Sequence, residues 1–416
     1  MKRKLMVTLA FVLLMASVSF PAYAADNIRL QVNGDEVPSP NLTLVNDSTM
    51  IPVDRYVSLA GAEISWTTDN SFAITENGVT LNLSPGKKEA MLGNSPLELP
   101  VEPYKTESGV FVPLRAVSSS FGFEVGWDGE QRLVTLTRNE TRDGMTASDL
   151  LAKSSVAGLA YNTYSMEGLF NIAVDISADG KDIEKAPKNV TSKLTGQLQN
   201  EPFQAYMKQV IDTGVEETPE MIVEMYMNEE KVYVKAPGQD WVAQDMPFSP
   251  EFWKEQRDIQ SDPMKAVAQM KELGILLNFG NDVTVNGEDY YVVNATMDME
   301  KFMQGYQNII QQAMGMVQQT DSEIQEKAQQ QMPEIFKNAV MDYSYSALIN
   351  KKTLISDIVH SNVRLELTIK NPEPSDREQN SGTPDEIKLD MNVNGDITIS
   401  GLGSPFNVPD VSPAVK

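Results

Sequence analysis

The sequence predicts an α+β protein in which a small duplicated α+β module is followed by a large antiparallel β-sheet with inserted helices. One pattern occurs twice within residues 27–140, which indicates a repeated structural unit. After residue 163, apolar and polar residues alternate over long stretches, as they do in half-buried strands, and two blocks with helical spacing interrupt them. Because 416 residues exceed one ordinary domain, we expect separate domains at 27–140 and 146–416.

Residues 1–24 have the features of an export signal. A basic start precedes an apolar stretch, and Ala22-Tyr23-Ala24 has the small-x-small form of a cleavage site. We therefore predict cleavage after Ala24 and a secreted or cell-surface location. An uncleaved membrane anchor is the alternative, which Pro21 and the short apolar stretch disfavour. No other apolar run approaches 18 residues, so we expect no transmembrane segment after cleavage.

The charge of the chain limits its partners. The formal net charge is −24, with 58 acidic residues against 34 Lys and Arg. Such an excess of carboxylates opposes binding to nucleic acid and to anionic membranes, so we expect neither as a partner. It permits loose cation binding, although solubility outside the cell explains it equally well. The chain has no cysteine, so packing without disulfides must stabilise the fold.

The repeated pattern reads "MIPVDRYVSLAGAEISW" at 50–66 and "VFVPLRAVSSSFGFEVGW" at 110–127. Three residue types recur at an offset of 61 residues, pairing Pro52 with Pro113, Gly61 with Gly122 and Trp66 with Trp127.

Each copy predicts a strand, a two-turn helix and a returning strand. Proline suits the first helical position, and glycine ends the helix in the left-handed conformation. We expect the tryptophan of each copy to face inward and pack on its helix. Arg115 is expected to pair with a carboxylate or a helix carboxyl end, and its counterpart in the first copy is Asp54.

The second copy, from Phe111 to Asp128, resembles the copper amine oxidase N-terminal-like domain, also called the stalk domain. The resemblance extends over 27–138, although the first copy departs from it at Val53-Asp54-Arg55 and Thr67. It implies a small accessory module in an exported protein of a Gram-positive bacterium, with a cell-wall or envelope component as its partner. The catalytic domain of those oxidases holds copper with three histidines, whereas this chain has only His360. The resemblance therefore implies neither an oxidase nor a cofactor.

The region 146–416 starts with a predicted helix and continues as strands. Thr146 and Asp149 have the form of a capping box. Asn-Gly pairs predict tight hairpin turns at Asn286-Gly287 and Asn394-Gly395. Helical spacing predicts one inserted helix from Asp262 to Gly274 and a second from Asp298. The glutamine-rich segment 318–331 is open to either a helix or a loop.

This order of elements resembles the antiparallel half-barrel of bacterial lipoprotein carriers of the LolA and LppX type. The resemblance implies a concave face that binds a lipid or another hydrophobic ligand. Seventeen of the 22 methionines follow residue 142, and methionine suits adaptable apolar surfaces. A core filled by the inserted helices is the alternative use of the same residues. The candidate cavity residues on the predicted strands are Met166, Phe170, Ile172, Met221, Val223, Met225 and Met227.

Two further candidate sites are weak. Asp175, Ser177, Asp179 and Gly180 have the spacing of the first half of a calcium loop, but the glutamate required at its twelfth position is Ala186. A turn on an acidic surface explains the same residues. His360 lies in a predicted strand and cannot form a zinc site alone.

No sequence motif of an enzyme is present: we find no G-x-S-x-G, no H-E-x-x-H and no phosphate-binding glycine loop. The sequence therefore predicts a secreted, non-enzymatic protein of the cell envelope without a cofactor. In this interpretation the N-terminal module serves attachment or protein contact, and the C-terminal domain binds an apolar ligand or partner. The alternative is a purely structural envelope protein with a filled C-terminal core.

Overall fold

The structure is a computed structural model of the chain. It describes residues 28–414 except 38–40, 68–70, 77, 107–108, 184–185, 216–217, 247–253, 255–257, 260–261, 298–339, 371–383 and 385. The predicted export signal, the second inserted helix from Asp298 and the segment 318–331 lie outside the described residues.

The N-terminal part folds into three small sheets around one apolar core. In chain order the elements are β1 (Arg29–Val32), β2 (Asp35–Val37), β3 (Thr43–Val45), β4 (Ser48–Pro52), α1 (Val53–Ala60), β5 (Glu63–Trp66), β6 (Phe72–Glu76), β7 (Val79–Leu83), β8 (Glu89–Leu92), β9 (Ser95–Glu98), β10 (Tyr104–Thr106), β11 (Gly109–Pro113), α2 (Leu114–Ser120), β12 (Glu124–Asp128) and β13 (Leu133–Thr137). The sheets have the strand orders β12-β13-β1-β2, β10-β11-β4-β3 and β5-β6-β7-β8-β9.

Both copies of the repeated pattern form a strand, a helix and a returning strand, as predicted, and one further strand pairs with the returning strand. The first is β4-α1-β5-β6 and the second is β11-α2-β12-β13. Strands β4 and β11 pair antiparallel at the centre of the module, with Ile51 opposite Val112. Val112, Tyr56 from α1 and Leu114 from α2 are buried in one core, so the two copies share it.

The helices begin one residue later than predicted. Pro52 and Pro113 end their strands and occupy the N-cap, where both have extended ψ angles, of 131° and 107°. Proline is still favourable at the start of the helix, because it has no N–H that would need a hydrogen-bond partner there. Gly61 and Gly122 follow the helices with φ of 72° and 82°, which confirms the predicted left-handed ends.

The prediction that the tryptophans pack inward is wrong. Trp66 and Trp127 are 50% and 49% exposed. Each lies near the end of its strand, and the residues two positions earlier, Ile64 and Val125, contact the core instead. The helices have only eight and seven residues, so the core ends before the strands do. Trp66 rests on Phe72, with ring centroids 4.9 Å apart.

The C-terminal part begins with a capped helix and continues as one large sheet. Thr146 and Asp149 form the predicted capping box at the start of α3: the Asp149 N–H donates to the Thr146 hydroxyl at 3.1 Å, and the Asp149 carboxylate accepts from the Thr146 N–H. The elements are α3 (Ala147–Leu159), β14 (Thr163–Ala178), β15 (Lys181–Asp182), β16 (Asn189–Gln199), β17 (Gln204–Asp212), β18 (Met221–Asn228), β19 (Lys231–Lys235), β20 (Val242–Asp245), α4 (Pro263–Glu272), β21 (Ile275–Phe279), β22 (Val283–Val285), β23 (Glu288–Met297), β24 (Val340–Asn350), β25 (Ser356–Lys370) and β26 (Glu386–Ser400).

The large sheet is curled into a half-barrel. Its strand order is β20-β19-β18-β17-β16-β14-β26-β25-β24-β23-β21, and β15 and β22 pair outside this path with β14 and β23. Strand β14 is central, because it pairs with β16 on one side and with β26 on the other. All pairs in the sheet are antiparallel.

Of the two Asn-Gly turns predicted here, one is confirmed and one is wrong. Asn286 and Gly287 have φ of 52° and 83° and join β22 to β23. Asn394 and Gly395 instead lie within β26, paired on both sides. Strand β26 does not turn there, because β14 and β25 pair with it on both sides and hold its backbone extended.

The large sheet has two faces, which we call inner and outer. Inner-face positions share the register of Ile172 and Val293, and outer-face positions alternate with them. Helix α3 covers the inner face at the β21 to β24 end, where Leu150 packs with Val293 and Ile349, all three fully buried. Helix α4 lies against α3 and β21.

The N-terminal module lies on the outer face at the same end. The Asn278 side chain donates to the Leu59 carbonyl at the end of α1, and Leu276 is buried in the core of the module. Gly61 approaches the Phe279 backbone so closely that a β-carbon would overlap the Phe279 carbonyl oxygen. The two parts of the chain therefore contact each other through backbone as well as side chains.

An ion-pair series runs through the connection between the two parts. Arg138 contacts Glu76 at 2.5 Å and Glu140 at 2.8 Å, and Arg142 continues from Glu140 at 2.5 Å to Asp282 at 3.7 Å. Glu76 is buried in the module, whereas Asp282 belongs to the C-terminal part. Partly buried ion pairs are costly to break singly, so this series opposes separation of the parts.

The variants Gly61→Ala and Gly122→Ala form a matched pair that tests this contact. Both residues have a positive φ, so a β-carbon costs each backbone roughly 1–2 kcal/mol. At 61 it would also collide with the large sheet, whereas at 122 no atom of the described residues lies within 4 Å. We expect G61A to lower the free energy of unfolding, measured in urea, by about 2 kcal/mol more than G122A. Equal losses would mean that the module does not rest on the sheet through Gly61.

Candidate functional site

The inner face between β14 and β20 is an apolar surface built by cross-strand pairing. One row runs from Met166 on β14 across Gly196 on β16 to Met207, Met225 and Val234 on the next three strands. Side chains at paired positions lie on the same face because both strands alternate with a period of two. The alternating sequence of each strand and the register between strands therefore place these residues side by side on one face.

The structure brings all seven predicted cavity residues onto this face. Ile172 is buried, and Phe170 and Met221 pack against its cluster. The other four, Met166, Val223, Met225 and Met227, are partly buried.

No charged residue occupies a paired inner-face position in β14, β16 to β20 or β24 to β26. The polar side chains there are neutral. Ser192 and Gln209 satisfy each other, with the amide donating to the hydroxyl at 2.8 Å. A surface without charge presents little cost to an apolar molecule placed on it.

Two large side chains lie flat on this face, over glycines. A β-carbon at Gly395 or Gly168 would meet the ring of Phe170, and one at Gly196 would meet Met166. Phe170 and Met166 thus occupy the space that missing side chains leave, instead of standing away from the sheet. Both side chains therefore lie against the sheet.

The side chains of the inner face are not buried to the same extent along the sheet. At the β21 to β24 end, α3 and the apolar residues beneath it form a filled core. Between β14 and β20, Ile172, Val190, Ile211 and Val232 are buried, whereas Met166, Val223, Met225 and Met227 are only partly buried. A filled core, which the sequence left open as the alternative, is present at the α3 end.

Sequence reasoning missed two tyrosines of the inner face, Tyr343 and Tyr345 on β24. Their ring centroids are 6.0 Å apart. Burial raises the pKa of Tyr343, and burial first, with Tyr343 second, raises the pKa of Tyr345 to about 12. The alternation in "DYSYSAL" is the signal that places both on the apolar side of a strand.

The calcium candidate is divided between a strand and a turn. Asp175 and Ser177 lie within β14, and Asp179 follows it with a φ of 50°. The Asp179 carboxylate accepts the backbone N–H of Glu386 at 3.0 Å. Within the described part of the chain, no group of three metal-binding side chains is present. Calcium binding remains a sequence prediction.

His360 lies on the outer face of β25 and is half-exposed. Its Nδ1 atom lies 2.6 Å from the Asp396 carboxylate. Ser346 is opposite it on β24, but the Ser346 hydroxyl donates to Asn294 at 2.5 Å. The three residues line a shallow depression of about 310 Å³. Since the serine is held by an amide, the arrangement is not a catalytic relay of Ser, His and Asp.

Arg115 does not have the partner predicted for it. Its guanidinium donates to the backbone carbonyl of Val125 at 2.7 Å, which ties α2 to β12. A carbonyl in the adjacent strand lies within reach of this long side chain, so no carboxylate is needed. Asp54, its counterpart, faces Arg364 of the large sheet; burial raises the pKa of Asp54, and Arg364 opposes the shift.

Two family models match the sequence. Residues 31–136 match the copper amine oxidase N-terminal domain. Residues 146–398 match a family of unknown function, DUF6612, and this match spans more than half of the chain. The protein belongs to that family. No curated protein matches the sequence.

The chain is similar to solved structures of mycobacterial lipoproteins. LprF from Mycobacterium bovis has 15% identity and a TM-score of 0.29, with 64% of this chain and 96% of that chain covered. LppX from Mycobacterium tuberculosis has 9% identity and a TM-score of 0.27, with 63% and 98% covered.

No helix in the described part of the chain has both the length and the apolar composition needed to cross a bilayer.

The variant Gly395→Ala tests whether Phe170 lies flat on the sheet. The added methyl group would overlap the Phe170 ring, which must then leave its place. We expect a loss of about 1–3 kcal/mol in the free energy of unfolding, measured in urea. In a Phe170→Ala background the same change should cost less than about 0.5 kcal/mol, because the ring is gone and only the movable Ser361 hydroxyl lies close, at 3.0 Å. Equal costs in both backgrounds would place the ring elsewhere.

Proposed function

We propose that the protein is an exported, non-enzymatic binding protein of the cell envelope. Its C-terminal half-barrel binds an apolar or amphiphilic ligand on the inner face between β14 and β20. One observation carries this proposal: the face is uncharged along all of its paired positions, and Met166, Val223, Met225 and Met227 on it are only partly buried. Methionine adapts its shape to varied apolar surfaces, which suits a site for flexible chains.

The N-terminal module serves, in this proposal, as the attachment or protein-contact part. We propose that it arose by internal duplication. The register between β4 and β11 supports this, because Ile51 opposes its own equivalent, Val112. On either side, Met50 opposes Pro113 and Pro52 opposes Phe111, as a two-fold axis between equal halves requires.

A purely structural envelope protein is the second candidate. The observation that favours it is the filled core beneath α3, where Val293 and Ile349 are fully buried. If the rest of the inner face were filled in the same way, no ligand would bind.

Lipid capture separates the two candidates. The full-length mature chain is incubated with a bacterial lipid extract, separated from free lipid, and examined by mass spectrometry. Binding predicts lipid in roughly stoichiometric amount, since burial of an acyl chain contributes ~0.8 kcal/mol per CH₂. Protein that emerges free of lipid, and that also fails to bind the apolar dye diphenylhexatriene, would contradict the proposal.

The variants Met225→Gln and Ile222→Gln localise the site on strand β18. Met225 lies on the inner face, whereas Ile222 lies on the outer face and is exposed. An amide against an apolar ligand costs roughly 1 kcal/mol, so M225Q should weaken diphenylhexatriene binding about fivefold in a fluorescence titration. I222Q should leave the affinity unchanged. Equal effects of the two variants would place the dye elsewhere.

A further inference from the structure

We infer that the ligand of the inner face is an uncharged amphiphile with a hydrogen-bond-accepting group, such as an ester or ketone carbonyl, which the hydroxyls of Tyr343 and Tyr345 bind. This inference rests on the proposed function and assigns its ligand class. The two residues lie two positions apart on β24, so both point to the same face.

The two tyrosines lie between two apolar clusters. On the α3 side, the next rows of the sheet contain Val293 and Ile349. On the other side, Met341 packs with the cluster of Ile172 and Leu365. A polar group placed at the tyrosines would therefore have apolar surface on both sides. One row of paired positions, Val363 on β25, Val393 on β26 and Ile172 on β14, joins Tyr343 to the inner face between β14 and β20. This is the pattern of a lipid site, in which a few placed polar groups orient a largely apolar molecule.

Neither hydroxyl makes a hydrogen bond with another described residue. The positions paired with the tyrosines offer few hydrogen-bond partners. Tyr343 is flanked by Val363 and Met297, and Tyr345 by Ala295 and Ser361. The Ser361 hydroxyl donates to the Gly395 carbonyl at 3.3 Å. Both tyrosines are partly buried, and neither hydroxyl is among the fully buried atoms of the described residues that lack a partner. Each hydroxyl is therefore free to donate to an acceptor that the ligand supplies.

The absence of charge on this face decides the type of acceptor. No Lys or Arg occupies the paired inner-face positions of β14, β16 to β20 or β24 to β26. A carboxylate or phosphate placed between the clusters would lose its hydration without gaining a cation. The net charge of −24 opposes anionic ligands further. A neutral carbonyl needs only the donors that the tyrosines supply.

Two neutral fluorescent probes test the inference on the full mature chain. Laurdan carries a ketone on an apolar body, whereas diphenylhexatriene has no acceptor. The variant with both Tyr343→Phe and Tyr345→Phe removes two hydroxyls and nothing else. We expect it to weaken laurdan binding about tenfold, which corresponds to ~1.4 kcal/mol, and to leave diphenylhexatriene binding within twofold. The emission of bound laurdan should shift to the blue, because its ketone loses hydrogen bonds.

The matched control is Tyr233→Phe. Tyr233 lies on the outer face, stacked on Tyr226 with ring centroids 5.6 Å apart. This variant should change neither probe. Without ligand, the double variant should melt at the same or a higher temperature than the parent chain, since unpaired hydroxyls contribute nothing to the fold.

The outcomes are distinguishable. If neither probe binds the parent chain, the proposed function fails, and this inference fails with it. If both bind and the double variant weakens both equally, or weakens neither, the inference alone is overturned. A clear drop in melting temperature without ligand would also overturn it, because the hydroxyls would then have partners within the protein.

Discussion

The register of strand β14 is the constraint on which the rest of the sheet depends. It pairs with β16 from Thr163 to Ala173 and with β26 from Ser165 to Ala178, and so joins the two halves of the half-barrel. A slip by one residue would exchange its faces and bring Glu167 and Asp175 to the inner side. The apolar row of Phe170, Ile172 and Val174 excludes that slip, since it must meet the apolar positions of both neighbours. Every inner-face contact discussed above follows from this register.

The two faces of the sheet are covered by different parts of the chain. The N-terminal module covers the outer face at β21 and β23, and residues 401–414 cross it at the other end, where Phe406 packs on Tyr226. On the inner face, α3 covers the strands that lie behind the module. The β21 to β24 end is thus packed on both sides, and this gives the remaining inner face a fixed support. The contact at Gly61 and the ion pairs at Arg138 and Arg142 join module and sheet into one assembly.

Local backbone structure was predictable from the sequence wherever it depends on residues that are close together in the chain. The capping box at Thr146, the left-handed glycines after α1 and α2, and the turn at Asn286-Gly287 depend on near neighbours in sequence, and all are confirmed. Predictions failed where a distant strand decides. Asn394-Gly395 has the local preference of a turn, but β14 and β25 pair with both of its sides and hold it extended. Trp66 and Trp127 lie on the expected side of their strands, but beyond the end of the core.

The sequence by itself determined which residues share a face, because alternation with a period of two needs no knowledge of neighbouring strands. It thereby identified all seven inner-face candidates, from Met166 to Met227. Only the tertiary structure decided how that face is used. Glycines from other strands receive Phe170 and Met166, α3 fills one end of the face, and two tyrosines on β24 are the polar groups left beside it. The contacts of Gly395 with Phe170 and of Leu150 with Val293 join residues more than 100 positions apart, and the sequence alone does not show which distant strands pair.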